Sequence, residues 1–296
     1  MVRVQRITPE LLLASTSQAK MSKPRDRPDV ILSKQSHLSL DNKHIKEIDG
    51  LTGCPLLRVL YLFDNQIEVL DGMQDVPHLT HLYLQHNQIR AIGDITMLRK
   101  LQKLYLNGNR IPSLEPLAAV SQSLVELHVS SQRPPEGILH LSPETLQRMH
   151  VLRVLSIANN RLTDITPLRL LRALQILDAS RNILESLAAV LPVVENCTTL
   201  LELDLSDNPL SSRRQSMDAL IVNSHQLRVG LCRVVMTCVG HACLTCMCRR
   251  GAVTGSRFSM GGQSYLLNGR ISKGCYVAVH GSLPRWNNQL LISRLG

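Results

Sequence analysis

Along the first two thirds of the chain, apolar and polar positions follow a fixed phrase. It reads leucine, two variable residues, leucine, one variable, leucine, two variable, asparagine, one variable, then isoleucine or leucine. Leu57, Leu60, Leu62, Asn65 and Ile67 carry it. It returns 22 residues later at Leu79, Leu82, Leu84, Asn87 and Ile89, and again at Leu101, Leu104, Leu106, Asn109 and Ile111. Three further good copies contain Asn160, Asn182 and Asn208. Two departures complete the series: "HLSLDNKHI", with Lys43 at the asparagine position, and "SLVELHVSSQRP", with Gln132 there, which leaves the turn bonding of those two coils open. Spacing stretches to 28 residues between Gln132 and Asn160, across "PPEGILHLSPETLQRMH", and to 26 between Asn182 and Asn208. Such insertions are expected to form loops on one face.

The phrase dictates local structure. In a short strand, alternate residues face opposite ways, so both leucines of L-x-L point inward and the residue between them points out. The asparagine sits in a tight turn, where its amide can bond backbone groups of its own and the adjacent coil. Apolar residues three apart, such as Ile67, Leu70 and Met73, suit a return through short 3₁₀ or helical turns. One coil cannot bury both its faces, so stability comes from stacking and the outer coils need caps. "ITPELLLAST" fits a capping helix, with Thr8 as N-cap and Pro9 in the first turn. The expected organisation is an N-terminal cap over 1–34, about eight repeats over 35–210, a partial C-terminal cap over 211–227 and a tail over 228–296.

The positions that the fold leaves open are the outward ones. In repeat order they are His37 and Ser39, Val59 and Tyr61, His81 and Tyr83, Lys103 and Tyr105, Glu126 and His128, Val154 and Ser156, Ile176 and Asp178, then Glu202 and Asp204. Phe63, Asp64, Gln85, His86, Arg181 and Asp207 extend the surface just past the strands. With adjacent strands about 4.8 Å apart, Tyr61, Tyr83 and Tyr105 should form a ladder. Exposed aromatics on a rigid sheet are contact anchors. Asp178, Glu202, Asp204 and Asp207 make the far end acidic, which would steer a basic patch on a partner. The expected partner-binding set is Tyr61, Phe63, Asp64, His81, Tyr83, His86, Lys103, Tyr105, Glu126, His128, Asp178, Arg181, Glu202 and Asp204.

Charge and cysteine content change the picture only at the end of the chain. The formal net charge is +10, but the 78 residues after Asp218 hold nine Lys or Arg and no carboxylate. The first 218 residues carry 24 basic and 23 acidic side chains, a balance of +1, which argues against direct nucleic-acid contact. Six of the eight cysteines lie between Cys232 and Cys275, and ten of the 16 glycines lie from Gly230 onward. This basic, Cys/Gly-rich tail is expected to be disordered. Its Cys238, His241, Cys243, Cys246 and Cys248 include one Cys-x-x-Cys but lack the second pair of a zinc finger, so no metal is assigned. No phosphate-binding glycine loop and no nucleophile with base and orienting acid occurs in the repeats, so neither cofactor nor enzymatic activity is expected. The leucine run Leu11–Leu13 is too short for a secretory signal, no run spans a membrane, and an intracellular, reducing location is expected.

The repeats resemble the leucine-rich repeat in its 22-residue intracellular subclass, the kind found in a regulatory subunit of protein phosphatase 1. That resemblance implies an α/β solenoid, curved, with parallel strands on the concave face and 3₁₀ or short helices on the convex face. "VLYLFDNQI", "LTHLYLQHNQI", "KLYLNGNRI", "ELHVSSQRPP" and "LDLSDNP" make residues 1–227 similar to the testis-type leucine-rich-repeat regulatory subunits of that phosphatase. The resemblance implies regulation or targeting of the phosphatase catalytic subunit by the concave surface. It also implies association with tubulin, motor or other cytoskeletal proteins, and a cytoplasmic address at the centrosome and microtubule cytoskeleton. The basic-Val-x-Phe docking motif of many phosphatase regulators has its nearest match in "RVLY", Arg58 to Tyr61, whose residues are committed to a strand. The alternative is a protein-binding component of a ribonucleoprotein or axonemal assembly, since a similar repeat serves a spliceosomal protein.

Overall fold

The computed structural model describes residues 6–16, 27–135 and 137–212, and beyond them only the backbone of strand segments between Arg233 and Gly281. The chain forms two compact units, residues 1–160 and 161–296.

The first unit opens with helices α1 (Pro9–Ala14) and α2 (Pro28–Ser33). Thr8 caps α1 as expected, its Oγ1 accepting from Leu11 N–H at 3.3 Å, with Pro9 in the first turn. Leu11, Leu12, Ile31 and Leu32 face inward and close the end of the core. Six strands of the repeat phrase follow: β1 (His37–Ser39), β2 (Val59–Tyr61), β4 (His81–Tyr83), β6 (Lys103–Tyr105), β7 (Glu126–His128) and β8 (Val154–Ser156), with short return strands β3 (Val69–Leu70) and β5 (Ala91–Ile92). The six pair in parallel in the order β1-β2-β4-β6-β7-β8. Their register puts Leu38, Leu60, Leu82, Leu104, Leu127 and Leu155 opposite one another, and all six are buried. This row of leucines is the spine of the core, and on the return side β3 and β5 pair with Leu70 buried.

A second row of side chains ties each coil to the one before. Asn87 Oδ1 accepts from Ile67 N–H at 3.0 Å, while its Nδ2 donates to the carbonyls of Leu62 at 2.9 Å and Leu84 at 3.1 Å. Asn65 and Asn109 repeat the arrangement. The departure at Gln132 proves to be a substitution of equivalents: its Oε1 accepts from Ile111 N–H at 3.0 Å and its Nε2 donates to Leu106 O at 2.8 Å. At Lys43 the backbone N–H is instead taken by Asn65 Oδ1 at 2.9 Å. The residue before each turn amide has positive φ: Asn42, Asp64, His86, Gly108, Ser131 and Asn159 in this unit. At Gly108 a Cβ would stand 2.8 Å from His86 Nδ1, so glycine makes room there for a ring.

The long insertion after Gln132 is more ordered than a loop. His140 N–H donates to Pro112 O at 2.7 Å, and helix α3 (Pro143–Arg148) begins at Ser142, whose hydroxyl caps Thr145 N–H. Leu139, Leu141, Leu146 and Met149 are buried, so apolar positions in the insertion organise it against the core.

The second unit continues the phrase with β9 (Ile176–Asp178) and β10 (Glu202–Asp204), which pair in parallel, and with helix α4 (Leu191–Asn196). Asn182 Oδ1 accepts from Leu162 N–H and Asn208 Oδ1 from Leu184 N–H, both at 3.1 Å. In the tail, strand Arg233–Cys238 pairs in parallel with β10 and antiparallel with Ala242–Met247, which pairs in turn with Tyr276–Gly281. Runs in these strands such as "RVVMTC" and "YVAVHG" carry β-branched residues that favour extension. Residues 213–227 of the expected C-terminal cap lie outside the described residues, as do the side chains of the tail cysteines.

Candidate protein-binding surface

The parallel register carries the outward residues into columns. Tyr61, Tyr83 and Tyr105 end β2, β4 and β6, and pairing sets each beside the next. Their rings stack at 4.7 Å and 4.6 Å between centroids, with interplanar angles of 19° and 10°. The stack then continues: His128, in register with Tyr105, lies at 4.5 Å and 11°. Phe63 stands edge-on to Tyr61 at 6.5 Å and 85°. The repeat pattern singles out the three tyrosines and marks His128 as a contact residue; its part as a fourth ring follows from its register with Tyr105. All five rings are half-buried, so they support one another within the sheet while keeping their edges open.

Beside the last two rings is a cluster of charge. Glu126 lies next to Lys103 in register, and its Oε2 is 2.8 Å from Lys103 Nζ. Its Oε1 accepts from the Tyr105 hydroxyl at 2.5 Å and bonds His128 Nε2 at 2.9 Å. Burial alone would raise this carboxyl, but the bonds from Lys103, Tyr105 and His128 outweigh it and hold the group down at about 2. The same contacts act on the partners. Burial, then Glu126, pushes the Tyr105 phenol up, and the bond to Glu126 raises the Lys103 ammonium. His81, which precedes Lys103 in the column, is lowered by burial and then by the Lys103 charge, and Tyr83 is raised chiefly by burial. At neutral pH this edge presents a carboxylate bound to a cation, beside the neutral phenols of Tyr83 and Tyr105.

Two expected outward residues are not accessible. Val59, between His37 and His81 in register, is buried, and so is Ser156, whose hydroxyl bonds Ser130 Oγ at 2.6 Å. Asp64 and His86 are exposed but sit in the left-handed turn, with φ of 55° and 56°. Their backbone conformation is therefore part of the coil's closure as well as of the surface.

Asp178, Arg181, Glu202 and Asp204 are in the second unit and are described within it. Asp178 and Asp204 are adjacent in the register of β9 and β10, as are Ile176 and Glu202. Burial, then the charges of Asp178 and Asp207, raise the Asp204 carboxyl, against bonds from Ser206 that lower it. Arg181, at a turn φ of 55°, lies 3.5 Å from Asp207, so the expected cation is paired locally. Among the described residues no group of His, Cys, Asp and Glu could hold a metal ion, and no helix is long and apolar enough to cross a membrane.

These features define a leucine-rich-repeat solenoid fold. Three family descriptions agree with it: "Leucine rich repeat" at residues 34–89, "Leucine Rich repeats (2 copies)" at 77–119 and "Leucine Rich repeat" at 196–213. No curated protein matches the chain. Among solved structures, an internalin of Listeria monocytogenes is 23% identical, with 78% of this chain and 74% of that one covered and a TM-score of 0.53. A leucine-rich-repeat protein of Leptospira interrogans is 22% identical over 71% of this chain and 56% of that one, also at 0.53. Leucine-rich repeats generally mediate protein–protein binding, and scaffolds built from them are typically non-enzymatic.

Proposed function

We propose that this chain is a non-enzymatic scaffold that binds the catalytic subunit of protein phosphatase 1 through the strand face of its repeats, and so regulates or targets it. The observation that carries the binding is the half-buried ring column Tyr61-Tyr83-Tyr105-His128, closed at one end by Lys103, Glu126 and Tyr105. A rigid aromatic strip beside a partnered charge matches the make-up of interface hot spots. The choice of phosphatase rests on the resemblance of residues 1–227 to its leucine-rich-repeat regulatory subunits. The same resemblance supports an address at the centrosome and microtubule cytoskeleton, with tubulin or motor proteins as further partners. Leu60 of "RVLY" is buried in β2, which favours docking on the folded face over release of a linear motif.

Capture from testis or ciliated-cell extract tests the reading. The full chain should recover phosphatase catalytic subunit, and a Tyr61/Tyr83/Tyr105 triple alanine variant of unchanged fold should lose it at least about tenfold. Equal recovery by both would remove the strand face from the mechanism. Recovery of spliceosomal proteins in place of the phosphatase would favour a ribonucleoprotein role.

A further inference from the structure

The aromatic column stops at Tyr61, and where it stops there is space. β1 and β2 pair in register, so Ser39 holds in the first coil the position that Tyr61, Tyr83, Tyr105 and His128 hold in the next four. Tyr83 covers one side of the Tyr61 ring at 4.7 Å; toward the first coil the neighbour in register is a serine. A cavity of about 370 Å³ opens there, lined by Tyr61, Ser39, His37, Ser36 and Lys34 together with Ser15 after α1. That volume falls within the range of small-ligand clefts, roughly 300–1,000 Å³. Its polar walls are largely satisfied. The Ser39 hydroxyl donates to Asp41 Oδ1, and Ser36 Oγ bonds His37 Nδ1 at 2.9 Å. The group left to a guest is the ring of Tyr61.

We propose that this cavity receives an aromatic side chain of the docked protein, which continues the column as a fifth ring. The inference rests on the reading that a protein docks on this face. It does not depend on which protein. The column repeats at 4.5 to 4.7 Å with nearly parallel planes, so the vacant step fits a flat neutral group. The Lys34 ammonium in the wall opposes a guanidinium or ammonium guest, although a cation on a tyrosine face would otherwise be favourable. The adjoining chain does not supply the ring: residues 17–26, "SQAKMSKPRD", and residues 1–5, "MVRVQ", contain no aromatic residue. The remaining aromatics, Phe258, Tyr265, Tyr276 and Trp286, all belong to the tail.

The test is an NMR titration of the full chain with N-acetyl-tryptophanamide, and in parallel with N-acetyl-argininamide. The tryptophan probe should bind with Kd of about 1 mM or tighter and move the Ser39 and Tyr61 signals by ring current. Tyr61→Ala should abolish the shifts. Ser39→Tyr, which fills the vacancy with the chain's own ring, should weaken binding at least about tenfold while preserving the circular-dichroism spectrum. Absence of shifts with the tryptophan probe, equal binding of the arginine probe, or undiminished binding to the Ser39→Tyr protein would each overturn the proposal. Probe binding that appears only in a Trp286→Ala protein would assign the cavity to the chain's own tail and overturn the docked-protein occupant. Loss of phosphatase capture with probe binding intact would sink the partner's identity and leave the cavity's role standing.

Discussion

The third position of the repeat strands holds Tyr61, Tyr83, Tyr105 and His128 in the first unit, between Ser39 and Ser156, and Asp178 and Asp204 in the second. Parallel pairing forces neighbours in such a column together, whatever they are. For rings the proximity is favourable, about 0.5–1.5 kcal/mol for each pair. For two carboxylates it is adverse: the Asp204 carboxyl, raised chiefly by burial, is raised further by the Asp178 charge. Each acid is quieted locally, Asp178 by Ser180 N–H and Oγ–H and Asp204 by Ser206 N–H. The backbone thus sets where a column stands, while chemistry sets whether the column supports the fold or strains it. What both units share is the inner row of asparagines, and the fold depends on that row.

The largest expected effect lies in the shared row. Asn87→Ala strands Ile67 N–H and removes one of two side-chain bonds to each of the Leu62 and Leu84 carbonyls, and Asn208→Ala strands Leu184 N–H and does the same to the carbonyls of Ala179 and Leu205. Each should cost about 2–4 kcal/mol, read from urea midpoints or amide exchange. A far smaller loss at Asn208 would break the claim that both units rest on one device.

Next comes Glu126, which bonds the ring column at Tyr105 and His128. Its folded-state carboxyl lies at about 2, below the unfolded value of about 4.3, so its contribution is present above roughly pH 4.5 and is lost as pH falls toward 2. After allowance for solvent screening it is worth about 1–2 kcal/mol. Glu126→Gln should flatten the acid limb of a stability-against-pH curve, and an unchanged limb would remove the charge cluster from the argument.

Smaller again is the stacking itself. Tyr83→Ala loses two ring contacts and should cost about 1–2 kcal/mol, whereas Tyr83→Phe keeps both rings in place and should cost under about 0.5. Equal losses from the two variants would mean that the hydroxyl, and not the stack, matters. The smallest change should be a gain. Burial, then the neighbouring acids, raise the Asp204 carboxyl, so its stability contribution is present below the unfolded value and is lost as pH rises through the folded one. Asp204→Asn should add about 0.5 kcal/mol at pH 7 and nothing below about pH 4 in thermal unfolding.

Much of this was readable from residues alone, for a physical reason. A period of 22 with inward leucines leaves little choice of register, so the strands, the buried row and the tyrosine ladder follow directly. Other features depend on shape more than on pattern. Gln132 breaks the asparagine phrase, yet one extra methylene still reaches the same carbonyl. His128 looks polar in the sequence and acts as a ring because Tyr105 is beside it. The cavity beside Tyr61 is the outline of an absent side chain, bounded by residues after α1 and α2 that no periodicity ties to the strand. Helix α3 was hidden because a single insertion has no second copy to compare with.

The insertion between Gln132 and Asn160 leaves the pairing of Glu126 with Val154 and of Leu127 with Leu155 undisturbed, because all the added length is taken up away from the strands. The surface therefore has a reading frame of its own. Chain can be gained on the return side without shifting a single letter of the strand face. Loss of one whole coil between Leu62 and Leu84 would shorten the text by one tyrosine and set Tyr61 against Tyr105. In such a molecule, lengthening and rewriting are separate operations, and natural variation can explore either without spoiling the other.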